Sequence, residues 1–184
     1  MWDCEALEEF PSGICTLKAL EELKLTRCKS LRRIPEGFGG LSCLKELDMW
    51  DCEALEEFPS GLCNLKALEQ LKFNGCKSLK RMPEGLGGLT CLKNLYMWNC
   101  EALEEFPSGI CTLKALEELN FTQCKSLRRI REGFGGLTCL KKLYMGNCEA
   151  LEEFPSRLCT LKGLEELNFS PCKSLRRIPE GLGG

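Results

Sequence analysis

The chain of 184 residues has no histidine, and aspartate occurs only at Asp3, Asp48 and Asp51. Without imidazole there is no Ser-His or Cys-His nucleophile pair and no histidine metal ligand. The glutamates recur at fixed intervals, so no carboxylate pair is set apart in environment as tuned acid–base work requires. Gly75-Cys76-Lys77-Ser78 lacks the G-x-x-x-x-G-K-[ST] spacing of a phosphate loop. Trp50-Asp51 lacks the Gly-His element of a propeller blade. No apolar run approaches the ~18 residues of a membrane helix. A net charge of −2 leaves no basic excess for nucleic acid. These absences predict a chain without catalysis, cofactor or metal, and with neither nucleic acid nor membrane as partner. Met1-Trp2-Asp3-Cys4-Glu5 has no basic or apolar segment, so no secretory signal is predicted and the cytoplasm, or the nucleus, is the expected compartment.

Cysteine, by contrast, is abundant at 15 residues. Eight follow a period of 24: Cys4, Cys28, Cys52, Cys76, Cys100, Cys124, Cys148 and Cys172. Leucine stands three residues after each. The other seven fall into two series spaced by 48: Cys15, Cys63, Cys111, Cys159 and Cys43, Cys91, Cys139. Repeat-locked spacing predicts that these thiols are reduced, buried packing residues rather than a disulfide framework. A column of thiols in line is not tetrahedral, which argues against a metal site.

A fixed period of this size marks a stacked array. One unit runs from Leu20 to Cys43, and others begin at Leu44, Leu68, Leu92, Leu116, Leu140 and Leu164, after a partial unit at 1–19. The pattern is L-x-x-L-x-L-x-x-C-x-x-L-x-x-[I/F/M]-P. It resembles the leucine-rich repeat over the whole chain, 1–184, as a single array. The resemblance implies an α/β solenoid, an arc with a concave parallel sheet and a convex side of turns and short 3-10 pieces. Leu23-Lys24-Leu25 alternates with period two, so Leu23 and Leu25 should point inward and Glu22, Lys24 and Thr26 outward. Seven such strands are expected, with a half-formed eighth at Met1-Trp2. Pro35 removes a donor, and Gly37, Gly39 and Gly40 oppose a long helix. Only Cys15 to Leu20 and its equivalents are predicted to form a helical turn. In the family, the Cys or Asn side chain turns inward to bond backbone at the corner after the strand.

Two half-repeats alternate, one carrying Cys52-Glu-Ala-Leu-Glu-Glu-Phe-Pro59, the other Cys28-Lys-Ser-Leu-Arg-Arg-Ile-Pro35. Stacking should set Glu56 and Glu57 between Arg32, Arg33 on one side and Lys80, Arg81 on the other, as a ladder of exposed ion pairs. The informative variation lies in the outward positions of the strands. Lys24, Asp48, Trp50, Lys72, Tyr96, Trp98 and Tyr144 are the candidate protein-binding residues, because large aromatics on a solvent-facing sheet are typical anchors. The same aromatics also suit strand positions, and Trp2, Trp50 and Trp98 recur by duplication.

The last unit stops at Gly184 with no polar capping repeat at either end, so the chain reads as a piece of a longer protein whose near-matching ends associate head to tail. Cys4 to Leu23 is identical to Cys100 to Leu119, as recent duplication or consensus design would produce. The Cys-x-x-Leu-x-x-[Ile/Phe]-Pro form is similar to the repeats of plant intracellular nucleotide-binding immune receptors. That resemblance implies recognition of a protein partner and regulation of a switch domain outside this chain. Arg131, Arg157, Gly163 and Pro171 depart from the pattern. Two further readings stand beside it. One is a duplicated or designed scaffold without an evolved ligand; the other is the substrate-recognition arm of an enzyme whose catalytic domain lies elsewhere.

Overall fold

The computed structural model describes residues 3–130, 134–155, 157–169 and 171–176. The expected positions at Met1, Trp2, Arg131 and Ser170 lie outside these. Each 24-residue unit forms one coil. In the units from Leu20, Leu44, Leu68, Leu92 and Leu140 a three-residue strand is followed by a tight corner, a descending flank, a proline and a short 3-10 helix that leads back to the next strand.

The strands are β1 (Glu22–Lys24), β2 (Glu46–Asp48), β3 (Gln70–Lys72), β4 (Asn94–Tyr96), β6 (Glu118–Asn120), β8 (Lys142–Tyr144) and β9 (Glu166–Asn168). They make one seven-stranded parallel sheet in chain order, and each residue pairs with the one 24 further on, as Leu23 does with Leu47. The register follows from the alternation. Leu47, Leu71, Leu95, Leu119 and Leu143 are fully buried, as are Met49, Phe73, Met97, Phe121 and Met145 two residues on. A slip of one residue would turn all of these to solvent. Phenylalanines interlock between layers, with Phe58 against Phe73 at 4.4 Å and Phe106 edge-on to Phe121 at 5.1 Å. No polar or charged residue is buried among the described residues. A second, two-stranded sheet on the descending flank was not anticipated: β5 (Glu105–Phe106) pairs with β7 (Arg129–Ile130).

The corner explains the cysteines. The residue before every member of the 24-residue series but Cys172 is left-handed, at Asp3 (φ 53), Arg27 (60), Asp51 (58), Gly75 (75), Asn99 (61), Gln123 (63) and Asn147 (58); Pro171 stands before Cys172. This turns the following thiol inward. Cys52 Sγ donates to the Leu25 carbonyl at 3.0 Å, and Cys76, Cys100, Cys124 and Cys148 donate to the carbonyl 27 residues back at 3.2–3.3 Å. Cys28 to Cys148 of this series are buried, while Cys4 and Cys172, at the ends, are half-buried.

Four sequence expectations need correction. The second cysteine series is not buried. Cys43, Cys91, Cys139 and Cys159 are exposed and Cys15, Cys63 and Cys111 half-exposed, because they sit on the outer side of the coil; none of them forms a disulfide. The helical turn is not at Cys15 to Leu20 but just upstream, at Ser12–Thr16, Ser60–Asn64 and Ser108–Thr112. The glycine-rich segments also form 3-10 helices, at Glu36–Gly40 and Glu84–Gly88. Proline starts each of these five: its preset φ lets its carbonyl accept from the N–H three residues on, as the Pro35 carbonyl does from Phe38 N–H at 3.0 Å. Finally, Glu56 and Glu57 form no ion pair with Arg32, Arg33, Lys80 or Arg81. That flank is joined mostly through backbone, with Arg32 N–H on the Glu8 carbonyl at 3.0 Å, and the expected pair forms only at the equivalent Glu152 and Arg176, at 3.9 Å. The lysine–glutamate ladders lie at two other positions. Glu21–Lys45, Glu69–Lys93 and Glu117–Lys141 pair at 2.7–2.9 Å just before the strands. Glu5–Lys29, Glu53–Lys77, Glu101–Lys125 and Glu149–Lys173 pair at 3.0–3.6 Å directly after the cysteines.

Glycine decides how closely the outer sides of the coils approach. A Cβ on Gly39 would lie 2.1 Å from the Gly61 carbonyl oxygen in the next coil. At the equivalent of Gly61 the unit from Leu140 has Arg157, which is left-handed (φ 60), and its 3-10 helix shrinks to Leu158–Thr160.

Candidate interaction surface

The outward side chains of the sheet form rows perpendicular to the strands. One row is Lys24, Asp48, Lys72, Tyr96, Asn120, Tyr144 and Asn168, each paired in register with the next. Two residues on, Thr26, Trp50, Asn74, Trp98, Thr122 and Gly146 make a second row. Two residues back, Glu22, Glu46, Gln70, Asn94, Glu118, Lys142 and Glu166 make a third. All seven candidate residues therefore share one face, and the two lysine–glutamate ladders border it.

Trp50 and Trp98 are the informative pair. They are 42% and 39% exposed, and the only other large exposed hydrophobic residue among those described is Leu17 at 48%. Leu17 lies in the first described coil, and its equivalents Leu41, Leu65, Leu89 and Leu113 are fully buried. Trp50 and Trp98 sit in interior coils, where nothing about the end of the stack explains their exposure. Their backbones are pinned while the indoles project. Trp50 N–H donates to Asp48 Oδ1 at 3.1 Å, and Trp98 N–H to Asn74 Oδ1 at 2.9 Å.

The tyrosines are tied down by residues that sequence reading did not single out. Tyr96 OH donates to Glu118 Oε2 at 3.0 Å, and Tyr144 OH to Glu166 Oε2. Partial burial, reinforced by the Glu118 carboxylate, pushes the Tyr96 phenol up to about 12, so it stays a donor. The bond to Glu166 raises Tyr144 as well. Both pairs have a separation of 22, which is the diagonal neighbour on the same face of a 24-residue register. A tyrosine followed 22 residues later by glutamate, twice over, was the available signal.

Lys72 holds Glu46 at 2.8 Å, and Lys24 approaches the same carboxylate at 3.9 Å. The hydrogen bond from Lys72 holds Glu46 below its ordinary value. Lys72 therefore acts within the face as the partner of Glu46, while Lys24 lies between Glu46 and its nearer partner Glu22, at 3.4 Å. Asp48 caps its own turn through the Trp50 N–H. No cluster of three or more His, Cys, Asp or Glu among the described residues could hold a metal ion.

No protein-family model matches the chain, and no curated protein matches it. Solved structures do. The leucine-rich repeat domain of the type III effector XopL has a TM-score of 0.66 at 25% identity, over 95% of this chain and 68% of that one. A leucine-rich-repeat protein of Leptospira interrogans is 20% identical over 90% of this chain and 64% of that one, with a TM-score of 0.30. The plant peptide hormone receptor RGFR1, in complex with RGF2, is 20% identical over 88% and 41%, with a TM-score of 0.33. With the XopL domain as structural neighbour and one parallel strand per 24-residue coil, the chain has the fold of a leucine-rich-repeat solenoid, with the aromatic rows on its sheet face.

Proposed function

We propose that this solenoid is a non-catalytic module that captures a protein partner on the concave face of its sheet, through Trp50, Trp98, Tyr96 and Tyr144, with Lys24, Asp48 and Lys72 shaping the polar surround. The observation that carries the reading is the exposure of two tryptophans in interior coils whose other apolar side chains are sealed. Large exposed aromatics with pinned backbones lose little entropy on binding and present much area. The test is a displayed peptide and domain library selected on the immobilised chain and counter-screened on the Trp50→Ala/Trp98→Ala double variant. Binders should lose at least tenfold in affinity for the variant, while its melting temperature stays within a few degrees of the parent. Binders indifferent to both substitutions would place recognition elsewhere, and collapse of the fold would make the tryptophans core.

In the cell, the reading is the recognition and regulatory repeat region of a plant-type intracellular immune receptor, in the cytoplasm or nucleus. Its support is the repeat form Cys-x-x-Leu-x-x-[Ile/Phe]-Pro. A phosphate-binding loop domain encoded upstream would bear it out; a kinase or ubiquitin-ligase domain there would favour an enzyme's recognition arm. The identity of Cys4–Leu23 with Cys100–Leu119 favours a second reading, a duplicated or designed scaffold without a ligand. The two end coils leave Leu7, Ile14 and Leu20, and Leu164, Leu167 and Phe169, only partly covered, and head-to-tail association is the expected consequence. Sedimentation should show mass rising with concentration, and a constant monomer mass refutes it.

A further inference from the structure

The spacing of the aromatics points to the shape of the partner, on the reading that the sheet face is where it binds. Trp50 and Trp98 stand two coils apart with Asn74 between them, and so do Tyr96 and Tyr144 with Asn120 between them. Neighbouring strands are about 4.8 Å apart, so each pair is separated by about 9.6 Å at the backbone. Successive stations along the stack are Trp50, then Tyr96 with Trp98, then Tyr144. On a concave face the outward tips converge, so their working spacing is somewhat shorter. A polyproline II segment repeats every three residues at ~3.1 Å each, placing side chains i, i+3 and i+6 about 9.3 Å apart on one edge. An extended strand gives about 6.8 Å or about 13.6 Å on one face. An α-helix gives about 10.5 Å at i, i+7, longer than the stations rather than shorter.

Two further features fit the same ligand. Polyproline II carbonyls have no internal partners and are open acceptors. Asn74 and Asn120, lying between the stations, each commit the side-chain oxygen to a backbone N–H, from Trp98 at 2.9 Å and Thr122 at 3.0 Å. Their amide NH2 groups are the donors that remain, alongside the indole N–H of each tryptophan. The acidic charge is also less fully paired than the basic: the lysines of the face, Lys24, Lys72 and Lys142, each meet a glutamate. Asp48 and Asp51 flank Trp50 and Glu118 lies between the tyrosines, and none of the three has a lysine or arginine within ion-pair distance among the described residues.

We propose that the concave face binds a proline-rich, basic segment in polyproline II form, running along the stack from Trp50 through Tyr96 and Trp98 to Tyr144. Aromatic edges pack between its turns, Asn74 and Asn120 donate to its carbonyls, and its lysines or arginines meet Asp48, Asp51 and Glu118.

The probe is a fluorescein-labelled (Pro-Pro-Arg)4 peptide titrated by anisotropy, beside (Gly-Gly-Arg)4 and (Pro-Pro-Glu)4. The expected result is saturable binding of the first, at least tenfold tighter than either control. Trp50→Ala and Trp98→Ala should each weaken it at least tenfold, while the Trp50→Phe/Trp98→Phe variant stays within threefold. Asp48→Asn should weaken it and lessen its salt dependence. Equal binding of the glycine peptide, binding unchanged in the double alanine variant, or no binding at all would overturn the inference. If library binders depend on both tryptophans but contain no proline-rich segment, the interaction face stands and this ligand class falls.

Discussion

At the scale of single residues, the two cysteine series are chemically different although both are repeat-locked. The periodic thiols from Cys28 to Cys148 are sealed in the corner, where burial pushes Cys52 and Cys100 from 9.0 up to about 12. A thiol that ionises at 9.0 when unfolded but at about 12 when folded favours the folded state fully below pH 9, and that advantage is lost as pH rises towards 12. With reductant present, the urea midpoint should be flat up to pH 9 and then fall. The Cys52→Ala/Cys100→Ala variant should fall less steeply. A disulfide reagent at pH 8 should label Cys43, Cys91, Cys139 and Cys159 rapidly, and the buried corner members Cys28, Cys52, Cys76, Cys100, Cys124 and Cys148 only on unfolding. The periodic series was legible as core because a leucine follows each member at a fixed step. The exposure of the second series was not, since spacing alone does not say which side of the coil a position occupies. The exposed tryptophans were legible as outward by alternation, whereas their isolation among sealed neighbours needed the packed coils.

At the scale of elements, the strands were readable and the 3-10 helices were misplaced. Period-two alternation survives in three residues because both neighbours in the sheet repeat it. The helices depend on contacts between coils that no local propensity encodes. Proline sets where each begins, and glycine permits the approach of the next. Gly39→Ala should therefore destabilise by about 1–3 kcal/mol, because the new methyl meets backbone that has nowhere to move. Gly13→Ala is the matched control, with nothing within 4 Å of the new Cβ. It should be neutral or stabilising by about 0.4–1 kcal/mol, through loss of unfolded-state freedom. Chemical denaturation of the two variants separates a contact effect from a propensity effect. Equal losses at both sites would mean that the coils do not pack through Gly39.

At the scale of the whole molecule, each coil bonds only to the ones beside it, so order is transmitted step by step. The fold was plain in the sequence because every unit says the same thing. The charge ladders were anticipated in kind but not in place, since long exposed side chains settle wherever the stack brings opposite charges together, and each pair contributes little alone. Their alternation nonetheless obeys a parity. Coils of even and odd position differ in sign at the same two sites, Glu21 against Lys45 and Glu53 against Lys77. Removing residues 44–91 deletes one of each kind and leaves every remaining contact of a familiar type. Removing 68–91 deletes only one, and brings Glu53 against Glu101 and Lys45 against Lys93. The expected readout is the salt response of the melting temperature. Sodium chloride should raise it for the 68–91 deletion relative to the parent, by screening the like charges, and not for the 44–91 deletion. Such an array can lengthen or shorten by 48 residues without meeting a new interface, whereas a change of 24 is an error that the fold itself detects.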